Sequence, residues 1–202
     1  MSLNNWLLYT LAAIGLSLTP GPNGLLALTH GALFGARRTI ATILGGSLGF
    51  AFVIALSMFG IGALLAASVG LLVVLKWLGG AYLVWLGIQV WRSPSIAISR
   101  SKELGGTPGW LFRAGLLSAV SNPKGILFFV AFLPQFIEPQ SSLVLQFVIM
   151  ASTFVVIEFF YELMVASLAD RVQPWLARVG KTFNRVFGGV FIAIGVLLPL
   201  RG

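Results

Sequence analysis

The chain has 202 residues, of which 58% are hydrophobic and 9% are charged, and its mean hydropathy is +0.99. A soluble domain carries about 25% charged residues, so this composition excludes a water-soluble fold and predicts an integral membrane protein. The net charge of +8 does not indicate a nucleic-acid partner, because the basic residues lie between the apolar runs, and the absence of cysteine excludes disulfides and thiolate chemistry.

Six apolar segments follow one another along the chain, which fits about 20 apolar residues per membrane span with short loops. They cover residues 6–32, 40–67, 71–91, 111–137, 143–168 and 187–200. We therefore predict an all-α integral membrane protein with six transmembrane helices in a single domain over residues 1–202. A hydrophilic linker at 93–109 separates a first three-helix half, 1–92, from a second, 110–202.

Segments one and four are each interrupted by proline. The interruptions read Thr19-Pro20-Gly21-Pro22-Asn23 and Ser121-Asn122-Pro123-Lys124. A proline in mid-helix removes a backbone hydrogen bond, and inside a bilayer the freed groups persist only where protein or a polar cavity receives them. Pro22 and Pro123 suit the first position of a new half-helix, which leaves Gly21 and Asn122 as the caps. Two broken helices are predicted; simple kinks packed by neighbouring helices are the alternative.

The two halves carry matching motifs in the same order. Residues 78–83 read LGGAYL after the first break, and residues 187–192 read FGGVFI after the second. Each half holds an odd number of spans, so the second half must enter the membrane upside down relative to the first. Two inverted three-helix repeats with broken helices one and four are a plan of many secondary transporters, whose sites lie near the membrane midplane.

Lysine and arginine concentrate in the first, third and fifth loops. These residues are Arg37, Arg38, Arg92, Arg100, Lys102, Arg113, Arg171, Arg178, Lys181 and Arg185. Basic loops remain on the cytoplasmic side, so both termini are predicted to lie outside.

Lys124, Glu158 and the first break are expected at similar depth, because each lies about 13–15 residues into its segment. That distance is about 20 Å, near the middle of a roughly 30 Å hydrocarbon core. A carboxylate there is costly unless it is paired or protonated, so Glu158 is predicted to couple protons, with Glu162 one turn further on the same face. The alternatives are a structural ion pair with Lys124 for Glu158, and a position at the interface for Glu162.

The starts of the two half-helices are predicted to bind a carboxylate, because free N–H groups and a positive dipole end point into the site. Lys124 adds a full positive charge there. The predicted substrate-binding residues are Thr19, Pro20, Gly21, Pro22, Asn23, Ser121, Asn122, Pro123 and Lys124.

Other motifs favour structural roles. Gly45-Gly46-Ser47-Leu48-Gly49 fits the G-x-S-x-G pattern of hydrolases, but it lies within an apolar helix, where glycines four apart permit close helix packing. His30 is given an interfacial hydrogen-bonding role rather than a place in a proton relay. We predict no catalytic residue, no metal site and no cofactor.

The motifs resemble those of the LysE/RhtB superfamily of amino-acid exporters. The resemblance rests on Thr19-Pro20-Gly21-Pro22-Asn23, Ser121-Asn122-Pro123-Lys124, the acidic Glu158, and residues 183–189 with Gly195. It covers nearly the whole chain and is nearer to the RhtB-like branch, which handles mostly neutral amino acids. It implies efflux from the bacterial cytoplasm across the inner membrane, in exchange for protons.

We therefore expect an inner-membrane amino-acid exporter that works by proton antiport, and not an enzyme. Its expected partners are an amino-acid substrate, protons and membrane lipid, and a homodimer is a compatible assembly. A divalent-cation exporter of similar fold is the main alternative; it requires several intramembrane carboxylates, which only Glu158 and Glu162 supply. A non-transporting scaffold and an intramembrane enzyme are further alternatives.

Overall fold

The computed structural model describes residues 1–19, 21–67, 69–92, 106–138 and 140–197, and the regular secondary structure there is helical. The helices are α1 (Leu3–Leu18), α2 (Pro22–Phe34), α3 (Ala36–Ala67), α4 (Val69–Arg92), α5 (Pro108–Val120), α6 (Pro123–Phe132), α7 (Leu143–Ser167) and α8 (Ala169–Leu197). A short 3₁₀ turn, Leu133–Gln135, follows α6. Most of the predicted linker, residues 93–105, lies outside the described residues.

The two predicted breaks are confirmed. The first apolar segment consists of α1 and α2, which meet at 53°, and the fourth consists of α5 and α6, which meet at 50°. Gly21 and Asn122 are the N-caps of α2 and α6, and each helix begins with a proline, as the sequence predicted. Pro20, which the sequence placed in the same interruption, lies outside the described residues.

Within the described residues, two helices are long and apolar enough to cross a membrane, Ala36–Gly60 of α3 and Leu143–Ser167. Counting each bent pair as one span brings this number to four. The other long helices are α4, with 24 residues, and α8, with 29. Six spans and an inverted relation between the halves stay predictions.

The structure places the basic residues of the predicted first and fifth loops on helices. Arg37 and Arg38 lie in the first turn of α3, which begins at Ala36. Helix α8 runs without a break from Ala169 to Leu197, so Arg171, Lys181 and Arg185 lie on a helix. The sequence from 169 to 187 spaces apolar and basic residues three and four apart, which favours an amphipathic helix over a solvated loop. Charge content, on which the loop prediction rested, does not distinguish these two structures.

Helices α3 and α5 pack backbone against backbone through glycine. A Cβ atom added at Gly45 would collide with the carbonyl of Phe112, and one added at Gly49 would meet Ala119. Gly115 of α5 approaches α3 equally closely. The contacts advance in the same direction along both helices, so α3 and α5 run parallel. The close-packing interpretation of Gly45 and Gly49 is confirmed.

An aromatic cluster fills the core on the α6 side of the two breaks. It includes Tyr9, Phe50, Phe128, Phe129, Phe132, Phe136, Phe154 and Phe191, all of them buried. The Tyr9 hydroxyl donates a 2.9 Å hydrogen bond to the carbonyl of Met150, which satisfies its polar end inside this core.

An exposed apolar stripe runs along α3, as expected for a surface that faces lipid. It consists of Leu44, Leu48, Phe52 and Leu56.

Glu138, in the loop before α7, binds the start of α1 through hydrogen bonds and an ion pair. Its Oε1 accepts hydrogen bonds from the Ser2 amide at 3.0 Å and from Asn5 Nδ2 at 3.2 Å. Its Oε2 lies 3.0 Å from the Met1 ammonium. This carboxylate therefore joins the beginning of the first half to the second half of the chain.

Candidate functional site

The first break exposes backbone groups on both sides. Helix α1 ends at Leu18, and the Thr19 amide and hydroxyl both bond back to the carbonyl of Gly15, at 3.1 and 2.7 Å. Gly21, in an extended conformation, begins α2 without a side chain that could accept from the first-turn N–H groups. Among the described residues, no side-chain cap therefore covers the first-turn N–H groups of α2, where the positive end of the helix dipole lies.

The second break is capped differently. Asn122 Oδ1 accepts hydrogen bonds from the amides of Lys124 at 3.1 Å and Gly125 at 3.4 Å. These bonds satisfy two of the N–H groups that open the first turn of α6. The two half-helix starts are therefore not equivalent, although the sequence treated them alike: α2 offers open donors, whereas α6 is closed by its own asparagine.

Lys124 joins the two breaks. Its ammonium donates to the carbonyl oxygens of Thr19 at 2.6 Å and Leu16 at 3.0 Å, both at the end of α1. Carbonyls in the last turn of a helix lack intrahelical partners and carry the negative end of the dipole, so a cation is favourable there. Among the described residues, Lys124 and Glu158 line the same cavity but form no direct ion pair.

Two carboxyl groups of α7 lie inside the protein. Glu158 is 6% exposed and Glu162 is 1% exposed, so Glu162 does not reach the surface as one alternative supposed. The two residues lie one turn apart on α7, and Glu162 Oε2 and Asn23 Nδ2 both lie beside Gly46. Within the described part of the chain, one oxygen of each carboxyl has no hydrogen-bond partner. A polar pair with unused acceptors is therefore buried between α2 and α7.

A small cavity lies where these groups meet. Six predicted site residues line it: Thr19, Gly21, Asn23, Asn122, Lys124 and Glu158. Its volume is about 20 Å³, which is room for about one water molecule. Pro22 and Ser121 line a separate groove between α2 and α5, and Pro123 is the first residue of α6.

Sequence reasoning missed Ser17, whose buried hydroxyl lines the cavity beside Glu158. A serine within apolar α1, two residues before the break, was the available signal. Phe50 and Phe154 also line the cavity, but nothing in the sequence separates them from other core aromatics. His30 is buried, and its Nδ1 lies 2.8 Å from the Thr42 hydroxyl.

The comparisons with known proteins identify relatives over almost the whole chain. The family model described as LysE type translocator matches residues 14–202. An uncharacterized membrane protein of Vibrio cholerae is 37% identical over 98% of both chains.

Two further relatives have names that state an activity. A homoserine/homoserine lactone efflux protein of Salmonella typhimurium is 34% identical over 98% of this chain and 97% of its own length. A leucine efflux protein of Klebsiella pneumoniae is 28% identical over 96% of this chain and 94% of its own. No solved structure matches the chain significantly.

Proposed function

This chain belongs to the LysE type translocator family, near its RhtB-like branch, and we propose that it exports small neutral amino acids or their derivatives across the bacterial inner membrane in exchange for protons. The relatives named for homoserine and leucine efflux support an amino-acid exporter. The proposal for the mechanism rests on one observation: the Lys124 ammonium and the Glu158 carboxyl line one cavity at the junction of two broken helices.

The cavity carries groups complementary to both ends of an amino acid. The open N–H groups at the start of α2 and the ammonium of Lys124 suit a carboxylate. The carbonyls of Leu16 and Thr19, which now accept from Lys124, suit an ammonium, since the substrate ammonium is the same kind of donor. On binding, the substrate would take over these carbonyls and release Lys124 to its carboxylate.

Glu158 and Glu162 would carry the coupling proton. Two carboxylates one helical turn apart, shielded from water, repel each other, and a shared proton removes that cost. The substrate ammonium would offer the pair a positive charge in place of the proton. Binding of substrate and binding of the proton would therefore compete, and competition at one site is what antiport requires.

An amino acid needs more room than about 20 Å³, so the described conformation is closed around the site. Access would come from movement of the half-helices about the two breaks, where the intrahelical hydrogen-bond ladders are already interrupted. A divalent-cation exporter is disfavoured, because the Lys124 ammonium in the same cavity repels a metal ion.

Transport by the purified protein in proteoliposomes tests the proposal. We expect homoserine and leucine to be carried, lysine to be carried poorly, and an opposing proton gradient to accelerate the flux. Transport of Mn²⁺ or Zn²⁺ without any amino-acid flux would overturn the proposal. If amino-acid flux does not depend on the pH gradient, the proposal of an exporter stands and the proposal of proton antiport is overturned.

A further inference from the structure

A second and larger opening lies between α2 and α5. Its volume is about 440 Å³, within the range of about 300–1,000 Å³ for small-molecule sites. Leu25, Leu26, Ala114 and Leu117 form apolar walls, while hydroxyl groups, including that of Ser118, supply polar contacts. The groove has room for an amino acid, which the closed cavity does not.

The groove runs from one end of the molecule to the breaks. Phe34 and Trp110 line it at the end where α2 finishes and α5 begins, and Gly106, just before α5, lies against Phe34. Pro22 and Ser121 line it at the opposite end, beside the two breaks. The outer mouth is the end where Arg37 and Arg38 begin α3, and the pattern of basic residues predicts that this end faces the cytoplasm.

A hydrogen bond joins the lining of the groove to the lining of the cavity. Ser118, which lines the groove, donates from its hydroxyl to Asn23 Oδ1 at 2.6 Å, and Asn23 lines the cavity. Asn23 Nδ2 and Glu162 Oε2 both lie beside Gly46. We therefore expect a change in the Ser118–Asn23 bond to be felt by the neighbouring Glu162 as well.

We propose that the α2–α5 groove is a water-filled cytoplasmic vestibule for substrate, and that the Ser118–Asn23 hydrogen bond is its inner gate. The inference rests on the proposed export of small neutral amino acids and adds the route by which they reach the site. Among the described residues, the groove lining contains no Asp, Glu, Lys or Arg, and His30 is its one titratable side chain. Such walls suit neutral amino acids with short aliphatic or hydroxylated side chains, and they offer no partner to a charged side chain.

The absence of cysteine makes the test direct, because single-cysteine variants carry one thiol each. Ala114→Cys places a thiol in the groove, and Leu48→Cys places a matched thiol on the exposed apolar stripe of α3. A charged methanethiosulfonate, added to the cytoplasmic face of inside-out vesicles, reacts with a thiolate in water and not with a thiol in lipid. We expect at least tenfold faster modification of Ala114→Cys, and slowing by leucine or homoserine but not by lysine.

Equal rates for the two variants, or faster modification from the opposite face, would overturn the vestibule. If no neutral amino acid slows modification of the Ala114→Cys thiol, the proposed substrate class is overturned. Neither result depends on transport, so a failure of the export assay remains distinguishable from a failure of the vestibule.

The gate has its own test. Ser17→Cys places a thiol in the cavity behind Asn23. In a Ser118→Ala background we expect its modification from the cytoplasmic face to be about fivefold faster, the factor that corresponds to one ordinary hydrogen bond. An unchanged rate would show that this bond does not limit access.

Discussion

The Lys124 ammonium nitrogen lies 2.6 Å from the carbonyl oxygen of Thr19, so a side chain from the second broken segment satisfies backbone exposed by the break in the first. The two breaks are therefore one structural unit, although about a hundred residues separate them. Disturbance of this contact should affect both half-helix junctions together.

The Lys124→Met variant should lose export by about tenfold or more. It removes the charge proposed to hold the substrate carboxylate, and hydrogen bonds that involve a charged group are worth about 1.5–3 kcal/mol. Proteoliposome flux of homoserine measures the effect. Lys181→Met, at an exposed position of α8, is the matched control and should transport normally. Normal flux through a folded Lys124→Met variant would remove Lys124 from the substrate site.

Glu158→Gln should uncouple export from the proton gradient. The amide keeps the shape of the carboxyl but does not take up or release a proton between about pH 5 and 9. Flux should therefore continue slowly and no longer respond to a pH difference across the membrane. The ratio of flux with and without a gradient is the measurement. Glu138→Gln, in the loop before α7, is the control and should keep the wild-type ratio. If Glu158→Gln keeps that ratio as well, the coupling role assigned to Glu158 is lost.

Glu138 should make a pH-dependent contribution to stability. The hydrogen bond from the Ser2 amide, followed by that from the Met1 ammonium, lowers the pKa of Glu138 below its ordinary value of 4.5. A lowered pKa in the folded state means that the stabilisation is present above 4.5 and is lost as the pH falls through the folded-state pKa.

We therefore expect Glu138→Gln to unfold about 2 °C below wild type at pH 7, a small shift because the side chain is partly exposed. The difference should shrink when the pH is lowered towards 3. Thermal unfolding in detergent measures it, and a difference that grows with falling pH would contradict this account.

Gly115→Val should destabilise the protein strongly. A Cβ atom at Gly115 would collide with the backbone of Thr42 on α3, and forcing atoms into a packed contact costs about 1–3 kcal/mol or more. Gly109→Val on the same helix is the control, because a Cβ atom added at Gly109 would have no neighbouring atom within 4 Å. Fluorescence-detected chromatography before and after heating compares them; equal stability would mean that α3 and α5 can separate without cost.

The sequence predicted the broken helices well because their signals are local. A proline removes a donor whatever surrounds it, and glycine or asparagine before it suits the cap, so Pro22, Gly21 and Asn122 could be assigned without knowledge of their neighbours.

The partners of Lys124 could not be predicted in this way. Depth along each helix placed Glu158 near Lys124. Depth does not show which neighbouring helix faces the lysine, and in the structure its ammonium contacts the carbonyls of Leu16 and Thr19 at the end of α1. Glu162 presents the same problem: its distance from the helix end suggested the interface, while packing of α2 against α7 buries it beside Asn23.

The glycine contact between α3 and α5 restricts how this molecule can change shape. The close main-chain contact leaves no room for a side chain or a water molecule between the two helices, so we expect them to stay together when the molecule changes shape. Because α5 leads into the second break, this pair of helices carries one wall of the groove and the hinge to α6 together. Movement about the two breaks then falls to α6 and to α2, and α2 is joined to α5 at the groove's inner end by the serine–asparagine bond.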